Sequence, residues 1–251
     1  LLAITALSAA LFFGQTAVAE EKAAEEVKPS HVEMVLVLDE SGSMSDLTRD
    51  TIGGFNSMIE KEKKLDVDAH VTTVLFNDQY KMLYNRRELK DVRKMTDKDY
   101  TPGGMTALLD AVGRTIHKMD MVSGIHRKDK GNKVLFVIIT DGEENDSKEY
   151  TYADVKKLIK DRQENAGWEF IFLGANIDAA AAAENLGIDR DRAVKYKNTG
   201  SGVRANFKAV AELSDSLAKS GRVSDRWKET VEKDEDDAAD KQSAAVTSHR
   251  R

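Results

Sequence analysis

The sequence predicts a doubly wound α/β fold, a mostly parallel sheet with helices on both faces and one antiparallel edge strand. Short, nearly continuous apolar runs indicate strands that are buried on both faces. Segments with apolar residues at helical spacing lie between these runs. Strands that alternate with helices along a chain are typical of a parallel sheet with helical connections.

Each element of this fold has its own signal in the sequence. The apolar runs predict four strands, at residues 32–38, 71–76, 134–139 and 170–173. The helical spacing predicts four helices, around residues 52–59, 107–119, 155–159 and 203–217. The weaker signals predict an antiparallel edge strand at 77–84, a helix at 180–186 and a last strand at 193–196.

The composition excludes several classes of protein. The chain has 251 residues, of which 41% are hydrophobic, so it can bury a sizeable core. It contains no cysteine, which excludes disulfide frameworks, cysteine-ligated zinc, iron–sulfur clusters and thiol nucleophiles. Its 38 basic and 44 acidic residues leave a net charge of −6, which argues against a nucleic-acid partner.

The N-terminal residues predict export. Residues 1–13 are almost wholly apolar, and small residues at Ala17 and Ala19 precede the first charge at Glu20. This pattern indicates a signal peptide over residues 1–19 that is incomplete at its N-terminus. The apolar run is shorter than the ~20 residues that span a bilayer, so we expect no membrane span in the mature chain. Export without cysteine favours a bacterial protein of the periplasm, the cell envelope or the medium.

The remaining residues divide into three parts. Residues 20–30 are charged and rich in alanine, which is typical of a linker. Residues 31–221 carry all the predicted strands and helices and are expected to form one domain. Residues 222–251 are heavily charged, with Trp227 as the only large anchor, and predict a partly disordered tail.

A cluster of oxygen-bearing side chains follows the first predicted strand, in the pattern Asp39-x-Ser41-x-Ser43. In a doubly wound sheet, ligands bind outside the carboxyl ends of the strands, which is where this loop lies. Gly42 permits a tight bend, so one carboxylate and two hydroxyls can face the same point. Such hard ligands with little charge suit Mg²⁺ or Mn²⁺, which keep several bound waters.

Two further loops offer oxygen ligands at the same edge of the sheet. Thr106 follows a glycine-marked loop and stands at the start of the helix predicted at 107–119. Asp141 follows the strand predicted at 134–139 directly. Each pattern alone is also compatible with an Asx-turn or a helix N-cap, so the hypothesis of a metal site rests on all three loops together.

The set Asp39, Ser41, Ser43, Thr106 and Asp141 resembles the metal-ion-dependent adhesion site (MIDAS) of von Willebrand factor type A (vWA) domains. The resemblance extends over residues 32–217 and all five positions are present. It implies that the three hydroxyls bind the cation directly, while the two carboxylates act largely through bound water. It also implies that the helix at 203–217 can shift with metal occupancy.

These observations predict an exported binding module that captures a protein ligand, through an acidic group, at a bound Mg²⁺ or Mn²⁺. Two alternatives stay open, a hydrolase assisted by the same cation and a regulatory subunit of a larger assembly. The sequence shows no nucleophile or base for the hydrolase, so we do not assign an enzyme. Acids near the site could form a rim around it or could be ordinary solvated residues; they are Glu40, Asp46, Glu143, Glu144 and Asp146.

Overall fold

The computed structural model describes residues 31–64, 68–122 and 132–234. The predicted signal peptide at 1–19 and the linker at 20–30 lie outside the described residues. The last part of the predicted tail, residues 235–251, lies outside them as well.

The described chain alternates strands and helices. The strands are β1 (His31–Asp39), β2 (Ala69–Phe76), β3 (Tyr80–Glu88), β4 (Asn132–Thr140), β5 (Glu169–Gly174) and β6 (Ala193–Lys195). The helices are α1 (Thr48–Glu62), α2 (Leu108–Asp120), α3 (Tyr152–Asp161), α4 (Ala179–Leu186) and α5 (Gly200–Ser220).

The strands form one six-stranded sheet in the order β3-β2-β1-β4-β5-β6. Every neighbouring pair is parallel except β2 and β3, which are antiparallel. This confirms the predicted fold class, including the single antiparallel edge strand. The chain moves outward in one direction from β1 and returns to the other side at β4, so the topological switch point lies between β1 and β4.

Two apolar layers cover the faces of the sheet. Met34, Leu36 and Leu38 of β1 pack in the layer that contains α1 and α5. Val35 and Val37 point to the opposite face, into the layer that contains α2, α3 and α4. Because successive side chains of a strand point to opposite faces, a strand covered on both sides is apolar at most of its positions. This explains why the strands appear in the sequence as continuous runs.

Among the strands, the edge strand β3 differs most from its prediction, since it begins and ends later than residues 77–84. Its register against β2 shifts between Val71 and Val74, as in a β-bulge. Arg86 lies in this part of β3 and has a positive φ of 46°. The polar residues of an exposed edge strand carry a weaker pattern than the core strands, which is why its bounds were harder to predict.

Packing against the core continues beyond α5. Gly221 ends α5 in the left-handed conformation, with a φ of 71°. A short 3₁₀ helix, Asp225–Lys228, follows, and the residues after it are helical up to 234. Trp227 and Val231 are each only 1% exposed and belong to the same apolar layer as α5. The first half of the predicted tail is therefore part of the folded structure.

The longest helix of the described chain, α5, has 21 residues and carries charged side chains along its length. Arg204, Lys208, Glu212 and Lys219 are among them. No helix in the described ranges combines the length and the apolar character that crossing a membrane requires.

Candidate metal-binding site

The candidate site lies at the carboxyl edge of the sheet, on the two strands that flank the switch point. Asp39 is the last residue of β1, and Asp141 follows Thr140, the last residue of β4. Since β1 and β4 are parallel neighbours, both carboxylates emerge at the same edge. This is the position at which open α/β sheets bind their ligands.

Asp39 is held on both carboxylate oxygens. The backbone N–H of Ser41 donates to its Oδ1 at 2.7 Å, and the hydroxyl of Thr140 donates to its Oδ2 at 2.6 Å. The hydroxyl of Tyr100 donates to the backbone oxygen of Asp39 at 2.6 Å. Asp39 is 1% exposed, so these contacts fix a buried carboxylate in one orientation.

The two serines connect the β1 loop to the β4 loop. The hydroxyl of Ser43 donates to Oδ1 of Asp141 at 2.5 Å. The hydroxyl oxygens of Ser41 and Ser43 are 3.1 Å apart. The structure therefore brings four of the five predicted residues together. Ser43 contacts both Ser41 and Asp141, and the backbone N–H of Ser41 contacts Asp39.

Thr106 lies in a third loop that is bonded to both of the others. The backbone oxygen of Gly104, which has a positive φ of 73°, accepts from the backbone N–H of Gly42 at 3.2 Å. The backbone N–H of Thr106 donates to Oδ1 of Asn145 at 2.8 Å. The backbone N–H of Asn145 donates to the backbone oxygen of Thr106 at 3.0 Å. A Cβ atom added to Gly142 would lie 3.8 Å from the Thr106 hydroxyl oxygen. The buried Thr106 hydroxyl therefore lies close to the loop that carries Asp141.

The electrostatics of the site fit a cation. Burial raises the pKa of Asp39, and the charge of Asp141 adds to the rise, although hydrogen bonds from Ser41 and Thr140 oppose it. Within the described part of the chain, neither Asp39 nor Asp141 forms an ion pair with a lysine or arginine. Two buried carboxylates of the same charge are costly to leave uncompensated, and a dication would stabilise both.

The structure adds residues that sequence reasoning missed. The side-chain amide of Asn198 donates to Oδ2 of Asp141 at 3.3 Å, and that of Asn176 donates to the backbone oxygen of Asp141 at 3.2 Å. Tyr196 lies within electrostatic range of Asp39 and Asp141, and burial raises its pKa well above the usual value. The signal that could have found Asn198 is its position just after β6, whose carboxyl end meets the same edge of the sheet.

Most of the described contacts of the neighbouring acids are structural. Glu40 is buried and accepts from the Thr101 backbone and from Lys81 Nζ, the latter at 3.3 Å. Glu144 accepts from the N–H of Leu109 at 2.9 Å, in the first turn of α2, and from Ser147. These contacts show that Glu40 and Glu144 hold the neighbouring loops together.

The fold and the arrangement of the loops define a vWA domain. The family comparison supports this, because the vWA family found in the C terminus of TerF matches residues 31–188. The chain belongs to this vWA-TerF-like family. No curated protein matches the chain.

Solved structures share the fold at low sequence identity. The PilB minor pilin from Streptococcus sanguinis, solved as a variant, is 13% identical with a TM-score of 0.53, over 75% of this chain and 62% of that one. The vWF domain of the type V pili tip protein Mfa5 from Porphyromonas gingivalis is 12% identical with a TM-score of 0.51, over 78% of this chain and 99% of that one.

A third similar structure is proximal thread matrix protein 1 from the mussel byssus, solved with a zinc-occupied MIDAS motif. It is 14% identical with a TM-score of 0.51, over 76% of this chain and 47% of that one. The chain thus spans less than half the length of several solved proteins that it matches. At these identities the likeness establishes the fold.

Proposed function

We propose that this vWA domain is an exported binding module that holds a Mg²⁺ or Mn²⁺ ion and captures a protein ligand through it. Asp39, Ser41, Ser43, Thr106 and Asp141 are the residues that would hold the cation. The observation that carries the proposal is the convergence of these oxygen-bearing side chains on one sheet edge, with two buried carboxylates that lack a basic partner within the described chain.

The chemistry of the donor set supports a hard dication. The set offers two carboxylates and three hydroxyls, so oxygen is its only ligand atom. The buried hydroxyl of Tyr196 and Oδ1 of Asn198 have no hydrogen-bond partner among the described residues. Waters bound to a cation would form hydrogen bonds with these two groups. Such waters would also link the cation to carboxylates that do not bind it directly.

The charge of such a site is the reason for proposing an acidic protein ligand. If the carboxylates act through water, the bound dication keeps a positive field and can accept an oxygen anion from outside. An acidic side chain of a partner would supply that oxygen without any turnover. The similar folds of a pili tip protein, a minor pilin and a byssus matrix protein support a binding role and an extracytoplasmic location.

The first experiment measures the cation alone. Titration of the full chain with Mg²⁺, and separately with Mn²⁺, in a calorimeter should show one saturable site in the wild type. Asp39→Ala and Asp141→Ala should abolish it, since each removes a carboxylate at the site. Equal heats in the wild type and Asp39→Ala would refute the metal site.

The second experiment measures capture. Immobilised full chain, loaded with Mg²⁺, should retain a peptide that carries an accessible aspartate and release it on addition of a chelator. The same peptide with asparagine in place of aspartate should pass through. If the peptide is retained in the presence of the chelator, and the asparagine peptide is retained equally well, capture through the metal is excluded.

A screen with a generic phosphate ester tests the hydrolase alternative. Magnesium-dependent turnover that is lost in Asp39→Asn would favour a hydrolase over a binding module. The described histidines do not supply a catalytic base for a hydrolase at the candidate metal site. His31 and His70 lie at the ends of β1 and β2 that are far from Asp39, and His117 lies in the last turn of α2.

A further inference from the structure

A second group of metal-binding side chains lies at the amino edge of the sheet, at the opposite end of β1 from Asp39. His31 and Glu33 of β1 are two residues apart and therefore point to the same face of the strand. His70 of β2 is the register partner of Glu33. The parallel pairing of the two strands thus places two imidazoles and one carboxylate side by side.

The three ligand atoms form a compact triangle. Nε2 of His31 lies 2.8 Å from Oε1 of Glu33 and 3.0 Å from Nδ1 of His70. Nδ1 of His70 lies 3.3 Å from the same Glu33 oxygen. Zinc–ligand bonds of about 2.0–2.1 Å in a tetrahedral site place neighbouring ligand atoms about 3.3 Å apart. The triangle is therefore close to one face of a zinc coordination tetrahedron.

The surroundings of the triangle match those of a metal centre. Oδ2 of Asp68 lies 3.1 Å from Nδ1 of His31, the ring nitrogen that faces away from the cluster. A carboxylate on the far nitrogen is the usual means of orienting a metal-ligating histidine. The side chain of Glu33 is only 4% exposed, and its Oε2 has no hydrogen-bond partner among the described residues. Such an orphaned buried oxygen is available to a ligand.

Arg86 of β3 is the charge that a metal would have to compete with. Its guanidinium donates to Oε1 of Glu33, from Nε at 2.9 Å and from a terminal nitrogen, and lies 3.3 Å from Nδ1 of His70. Nδ1 of His70 can accept from this guanidinium, which only donates, through the same lone pair that would bind a metal. The side chain of Arg86 is 32% exposed, so it can turn towards solvent.

We propose that His31, Glu33 and His70 form a second site, separate from the oxygen-lined one, which binds a transition metal such as Zn²⁺. Two imidazoles and a carboxylate are zinc ligands, whereas the loops around Asp39 offer only hard oxygen. Water would complete the coordination of the metal. Arg86 lowers the affinity of this site for a dication and occupies Glu33 when the metal is absent.

The experiment titrates the full chain with Zn²⁺ by calorimetry, in saturating Mg²⁺ and in an Asp39→Ala background that disables the oxygen-lined site. One zinc site should remain. His31→Gln and His70→Gln should each weaken it by about tenfold or more. His117→Gln, which changes an exposed histidine of α2, should leave it unchanged. Absence of zinc binding in the Asp39→Ala background, or equal affinities of His70→Gln and His117→Gln, would overturn the proposal.

Two substitutions of Arg86 test the site without removing a ligand. Arg86→Gln should tighten zinc binding because it removes the competing charge, whereas Arg86→Lys retains the charge and should not. Circular dichroism of each metal-free variant establishes that it is folded. If the histidine variants fail to fold, the zinc affinities of the two Arg86 variants test the proposal by themselves. Identical zinc affinities of Arg86→Gln and Arg86→Lys would count against the site.

Discussion

The hydroxyl of Ser43 donates a 2.5 Å hydrogen bond to Oδ1 of Asp141, a residue 98 positions further along the chain. This bond joins the loop after β1 to the loop after β4 across the switch point of the sheet. It orients one hydroxyl and one carboxylate of the candidate metal site towards each other. The bond accounts for a single oxygen of Asp141, while Asn198 donates to the other.

Ser43→Ala tests whether this hydroxyl is a metal ligand. We expect the affinity for Mg²⁺ to fall by about tenfold or more, because one oxygen ligand and the orientation of Asp141 are lost together. Ser45→Ala is the matched control, since the Ser45 hydroxyl is exposed and donates to the backbone oxygen of Gly42. Calorimetric titration compares the two, and similar losses in both would show that Ser43 is not a ligand.

Thr140→Val tests the support of Asp39. Valine has nearly the same shape but cannot donate the 2.6 Å bond to Asp39, so a buried carboxylate oxygen loses its partner. We expect the free energy of unfolding in metal-free buffer to fall by about 1–3 kcal/mol, measured by urea denaturation.

Thr73→Val is the control for this substitution. Thr73 is fully buried on β2, and its hydroxyl has no hydrogen-bond partner among the described residues. Removing it should leave the stability unchanged or raise it. If both valine variants lose equal stability, the effect belongs to core packing and not to the bond with Asp39.

Glu62→Gln tests a buried carboxyl between α1 and α5. Burial raises the pKa of Glu62 from 4.5 to about 7, and Ser214 donates to its Oε2 at 2.5 Å. The folded protein therefore favours the neutral acid, so its stability falls as the pH rises from 4.5 to about 7 and is flat above. The full difference corresponds to roughly 3 kcal/mol.

The glutamine variant should lack this part of the pH dependence and be more stable than the wild type above pH 7. Glu60→Gln, an exposed position of the same helix, should keep the wild-type slope. Urea denaturation at a series of pH values measures the difference between each variant and the wild type. Parallel curves for Glu62→Gln and the wild type would contradict the prediction.

Trp227→Ala tests whether the chain beyond α5 belongs to the folded domain. Trp227 is 1% exposed and packs in the apolar layer of α5, so its truncation should cost about 3–5 kcal/mol. Arg226→Ala, next to it and with an 82% exposed side chain, should change stability by less than about 0.5 kcal/mol. A tryptophan variant as stable as the arginine variant would show that residues 222–234 contribute little to the fold.

The fold could be predicted from sequence because its signals are local. A strand such as β1 has both faces covered, so its apolar run needs no knowledge of its neighbours. The composition of the tail gave no such signal, since the contacts of Trp227 and Val231 with α5 depend on how the chain folds back. A highly charged segment with only three buried side chains among its described residues, Val223, Trp227 and Val231, appears in the sequence as a solvated one.

The sequence by itself determined the residue types of the candidate metal site and the strand ends that carry them. Only the tertiary structure decided which further groups contact them, because Thr140 reaches Asp39 from β4 and Asn198 reaches Asp141 from the loop after β6. The same holds at the opposite edge, where the register of β1 against β2 places His70 beside Glu33. Local pattern reports burial and backbone conformation, whereas register and loop packing are set by contacts between residues far apart in the chain.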